Sequence, residues 1–137
     1  MSSILRISGE SLDIDALLSV FSLPFDRVWR RGEPRVLKGK LHSDSGANFL
    51  ASDADLDEFD RQVSDATDYL EQHAPIIAKM VEFPGVQNAR LDFGFSLYEG
   101  NAAQFSFLPP KLVRLSASAG IGLEISYYAC NKDDEES

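Results

Sequence analysis

One cysteine, one tryptophan and two histidines are spread through 137 residues, and that scarcity excludes several chemistries. A lone Cys130 cannot close an internal disulfide, so stability must come from a packed core. His42, His73 and Cys130 stand far apart with no paired spacing, which leaves no zinc signature. Neither histidine neighbours the thiol in the chain, and no G-x-S-x-G turn or Walker-type loop occurs. Gly120-Ile121-Gly122 leads into a strand, so it reads as a turn and not as a phosphate cradle. Long apolar runs are missing too: nothing approaches the roughly 20 residues that span a bilayer. The opening "MSSILRISGE" lacks the apolar length of a secretory signal, and there is no N-x-S/T sequon. These absences imply a cytoplasmic protein away from membranes, with no cofactor and no resident metal, for which enzymatic activity is the lesser reading.

Positive charge is also in short supply. Thirteen Lys and Arg face 22 Asp and Glu, a net charge of −9. Residues 1–52 carry seven basic and six acidic side chains (+1), and residues 53–137 carry six and sixteen (−10). Such a balance argues against nucleic acid, whose phosphates need clustered cations. It suits solubility and the steering of a cationic partner. "DADLDEFD" at 53–60 imitates a calcium loop, but Glu58 and Ser64 occupy the positions that need Gly and a bidentate Glu.

What is present is the patterning of one α+β domain over 1–130, with a charged tail at 131–137 expected to be disordered. "SSILRIS" reads as a strand. "GESLDIDALLSVF" reads as a helix capped by Ser11 or Gly9, with a stripe of Leu12, Ala16, Leu17 and Val20. "DRVWRRG" and "GANFLAS" read as strands. Leu56, Phe59, Val63, Ala66 and Leu70 step by three and four, predicting a helix from Asp53 with Ser52 as its N-cap. Pro75 is expected to interrupt or kink it before "PIIAKMVE" restarts. "ARLDFGFSLYE" alternates with period two, and "AQFSFL" is expected to return as its hairpin partner with Phe105 and Phe107 inward. "PPKLVRLSASAG" is a proline-opened, glycine-closed helix and "IGLEISYYAC" a last strand. The expected architecture is an antiparallel or mixed sheet with helices packed on one face. Strand–helix–strand at both ends suggests two related, ferredoxin-like β-α-β halves.

Two surfaces of opposite sign stand out. The exposed side of the acidic helix, Asp57, Asp60, Asp68 and Glu71, is the candidate contact surface for a basic protein partner. The other surface is "VWRRGEPRVLKGK", where Trp29, Arg30, Arg31, Arg35 and Lys38 offer an alternative site for a small anionic ligand. The structural reading of that stretch places Trp29 in the core with its arginines balancing the acidic helix. A third reading is a homodimer paired through an edge strand, as against a monomer.

Together "FDRVWRRGE", the long acidic helix and "FLPPKLVRLSASAGIGLEISYY" resemble domain of unknown function 4279, a family of short, mostly bacterial proteins. The resemblance places Trp29, Arg30, Gly32, Pro109, Leu112, Leu115, Gly120 and Tyr127 at the matching positions. It implies no catalytic residue and no cofactor. It does imply that an immunity role, the neutralisation of a basic toxin, is to be considered for a small acidic domain of this kind.

Overall fold

The computed structural model describes residues 3–36 and 39–130. Eight elements follow in order: β1 (Ser3–Gly9), α1 (Ile14–Val20), β2 (Arg27–Trp29), β3 (Ser45–Ser52), α2 (Phe59–Val81), β4 (Asn88–Tyr98), α3 (Pro110–Ala119) and β5 (Gly122–Cys130). Lys38 and the expected disordered tail at 131–137 lie outside the described residues.

The strands form one mixed sheet in the order β2-β3-β1-β4-β5. All its pairings are antiparallel except β4–β5, which is parallel and is joined through α3, since parallel neighbours need a crossover. The first four strands and two helices interleave as β1-α1-β2 and β3-α2-β4, the split β-α-β arrangement of ferredoxin-like domains. The two β-α-β units are thus adjacent in the chain and interlocked in the sheet, not placed at its two ends as the sequence suggested, and α3-β5 extends the edge. Leu5, Ile7, Ala47, Phe49, Leu91 and Phe93 alternate onto one face, where they are fully buried with Ile14 and Leu17 of α1, Leu70, Ile77 and Met80 of α2, and Leu112 of α3. The opposite face carries Arg6, Asn48, Asp92 and Glu124 and, among the described residues, has no helix over it.

Several local expectations fail for identifiable reasons. α1 begins late because Asp13 is the cap, its Oδ1 accepting from Ala16 N at 3.1 Å; Val20 is exposed. Ser52 ends β3 instead of capping α2: its Oγ accepts from Ala54 N and donates to Asp65, and α2 starts only after the turn at Leu56-Asp57. α2 also runs unbroken through Pro75. That residue is exposed, so the carbonyl it leaves without a donor sits on the solvent side, and the cost is borne where water can offset it.

The predicted "AQFSFL" strand is absent. β4 already has β5 along one edge for nine residue pairs, and on its other edge the described part of β1 reaches as far as the Ser3–Phe93 pair. Beyond that point side chains and a loop carbonyl take the place of a strand. Gln62 is fully buried; its Nε2 donates to Gly94 O (2.8 Å) and Asp55 O (2.9 Å), and its Oε1 accepts from Gly94 N (3.1 Å). Ser96 N donates to Leu56 O, and Gln104 bonds both Ser96 O and Tyr98 N. Two glutamine amides thus complete the edge of β4, and the backbone of 101–109 passes on as a loop.

Candidate functional site

The basic stretch splits between two places once folded. Alternation along β2 sends Val28 to the core side, and sends Arg27 and Trp29 to the open face opposite Asn48 and Gly46. Trp29 is therefore not in the core, contrary to the sequence expectation. It lies half-buried over Gly46, where a Cβ would come within 2.5 Å of the indole Cζ2. Its Nε1 donates to Asp44 at 2.8 Å, and its ring stacks on His42 with centroids 6.0 Å apart.

His42 reaches that position because residues 30–35 and 40–44 lie back against each other as the two limbs of an arm. Gly32 N donates to His42 O, His42 N to Glu33 O and Arg35 N to Lys40 O, each at 2.9 Å. Gly32 makes the bend at φ +88°, a conformation that favours glycine.

Arg30 leaves this neighbourhood. It makes a bidentate pair with Asp15 of α1, Nε to Oδ2 at 2.9 Å and Nη2 to Oδ1 at 2.7 Å, and its Nη1 lies 3.8 Å from Glu33. The hydrogen bond from Arg30 holds the Asp15 carboxyl below its ordinary range, and the same contact raises the guanidinium. Arg31 is anchored by its backbone N to Ser45 Oγ, and its Nη1 reaches Glu10 O at 3.5 Å. The charge balance expected with the acidic helix is made instead with α1 and the arm's own Glu33.

Arg35 stays with Trp29. Together with Arg6, Arg27, His42 and Asn48 they line a cleft of about 450 Å³ on the open face. Arg6 pairs with Asp92 at 3.3 Å, and that carboxylate also accepts from Ser126 Oγ. Among the described residues no carboxylate lies within ion-pair distance of Arg27 or Arg35. Sequence reasoning missed Arg6, Arg27, His42 and Asn48, because three of the four come from other strands or the far limb of the arm. The visible signal for Arg6 was a cation inside an otherwise apolar strand.

On the helix side, Asp60 and Asp68 line one groove with Val63, Ser64, Thr67, Phe107 and Lys111. Glu71, one turn further, holds Lys111 Nζ at 2.8 Å and raises its pKa. Asp57 is separate from them, in the turn before α2, where Asp55, Asp57 and Glu58 place carboxylate oxygens within 4.8 Å of one another. A cation could be held there, but Glu58 already accepts from Asp55 N and lies 3.7 Å from Arg61. Arg61 further pairs with Asp53 and Asp65, so one cation is shared among three carboxylates and this side of α2 keeps a net negative charge. The 101–109 loop adds what the sequence reading had turned inward: Phe105 is 87% and Phe107 71% exposed. Leu97, Val113, Tyr127 and Tyr128 are exposed large apolar residues of β4, α3 and β5.

No helix of the described residues is long and apolar enough to cross a membrane. No curated protein and no solved structure matches the chain. A family model does, over residues 1–130, and on that extent the chain belongs to the family described as domain of unknown function 4279.

Proposed function

We propose that this is a non-enzymatic protein-binding domain that docks a basic, partly apolar partner beside the first half of α2. The observation that carries the reading is the exposure of Phe105 and Phe107 on one loop, with Phe107 in the groove that Asp60 and Asp68 line. A phenyl ring held in water forgoes roughly 2 kcal/mol of burial, and monomeric domains seldom leave two of them on one loop. Aromatic anchors inside a charged rim are how protein interfaces gain both affinity and register. Asp60 and Asp68 sit at that rim, with Asp57 and Glu71 beyond them, and supply the field that would draw in a cationic surface. A basic toxin held inactive by an immunity protein is a partner of this chemistry.

The test is retention from lysate of the native host, followed by binding kinetics on the purified partner. The wild-type domain should retain one basic protein that salt releases. F105S/F107S should lose it through faster dissociation, and Asp60→Lys with Asp68→Lys should slow association. Equal retention by all three proteins, or no specific protein retained by the wild type, refutes the reading.

A further inference from the structure

We propose a second site, independent of that surface and on the opposite face of the sheet: the cleft between β2 and the arm limbs that carry Arg35 and His42 binds a small oxyanion, a carboxylate- or phosphate-bearing molecule. Its lining holds three guanidinium groups, Arg6, Arg27 and Arg35, against one carboxylate, Asp44. Asp44 is occupied by the indole of Trp29 and Arg6 is shared with Asp92, which leaves Arg27 and Arg35 as the guanidinium groups presented to a ligand. In a chain of net charge −9 this concentration of unpaired cations runs against the background field. Guanidinium forks match the paired oxygens of carboxylate and phosphate and hold them by charge-assisted bonds.

The walls support a built site. Gly46 lets the indole lie close over the sheet and His42 stacks on the ring. Asn48 Oδ1, an acceptor buried without a partner among the described residues, would take an O–H of the ligand and not its charged oxygens. A volume of about 450 Å³ fits a metabolite and not a macromolecular surface. Both sides of β2 are thereby used: Val28 anchors the strand in the core while its two neighbours form the floor.

Trp29 is the protein's only tryptophan, so its emission and indole N–H resonance report this cleft alone. The experiment titrates sodium phosphate and sodium malonate separately into the full chain, with ionic strength held constant by sodium chloride. A saturable change in both Trp29 signals is expected. R27Q and R35Q should each weaken it about tenfold, the loss of one charge-assisted contact, and the double variant should abolish saturation. Both arginines are exposed, so circular dichroism should show the fold retained; Arg6 is left alone because its loss would strand Asp92, which is only 6% exposed. Arg31→Gln is the control and should bind as wild type. Saturation with phosphate alone assigns a phosphoryl ligand, with malonate alone a carboxylate ligand, and with both a site that reads charge. No saturable change with either probe, or one that persists in the double variant, overturns the proposal.

Discussion

Replacing Gln62 by leucine tests the idea that a side-chain amide stands in for the missing part of a β-strand. Leucine keeps most of the volume and removes all three of the hydrogen bonds that Gln62 makes. Gly94 is buried, so its N–H and C=O would both be left without a partner or access to water. At about 1–3 kcal/mol for each of these two groups the loss is about 2–6 kcal/mol, partly offset by the apolar contact leucine makes. In a domain of this size that corresponds to a fall in Tm of roughly 10 °C. Urea unfolding followed by circular dichroism should show a lower midpoint with an unchanged slope. Gln62→Glu should be worse at neutral pH, since a buried carboxylate would face the carbonyls of Asp55 and Gly94. A leucine variant within about 0.5 kcal/mol of wild type would refute the reasoning and leave Gln62 as a polar residue that merely fits.

Two further outcomes follow from groups that the fold holds under constraint. The Tyr69 hydroxyl is buried without a partner among the described residues, and burial pushes its pKa up to about 12. The unfolded chain ionises near 10, so above that pH it releases a proton that the folded state keeps. Stability is full below about pH 10 and falls as pH rises toward 12. Tyr69→Phe removes an unpaired hydroxyl and should raise stability at pH 8 by about 1 kcal/mol while flattening the decline above pH 10; a loss of stability at pH 8 would show that the hydroxyl has a partner. Gly46→Ala drives a Cβ to 2.6 Å from Ile7 O and 2.5 Å from the indole of Trp29. It should cost about 1–3 kcal/mol and shift Trp29 emission, and an unchanged spectrum would mean that the ring does not lie over the sheet.

Much of the molecule follows from the sequence alone. Period two in "ARLDFGF" and the three-four stepping of Leu56, Phe59, Val63, Ala66 and Leu70 are local consequences of strand and helix geometry; the strand forms where its pattern lies, and the helix does so from Phe59, with Leu56 left in the turn before it. Proline at the start of α3 and the left-handed Gly120 after it are likewise local, so that helix is legible to the residue. Net charge and the acidic bias of residues 53–137 are sums and need no fold.

The tertiary structure decided everything that depends on a neighbour distant in the chain. A "QFSF" alternation is good strand sequence, yet a strand needs an edge to pair with, and Gln62, Leu56 and Gln104 had taken it. Trp29 looked like a core residue because tryptophan is large and apolar. The pairing of β2 with β3 turned it to the other face, since a step of one residue along a strand reverses its side. The arginines beside it could be counted in the sequence but not apportioned. Arg30 went to Asp15 on α1, while Arg35 was carried by the arm to Arg6 and Arg27 from two other strands. Periodicity fixes which face a residue takes within its own element; only packing fixes what that face meets.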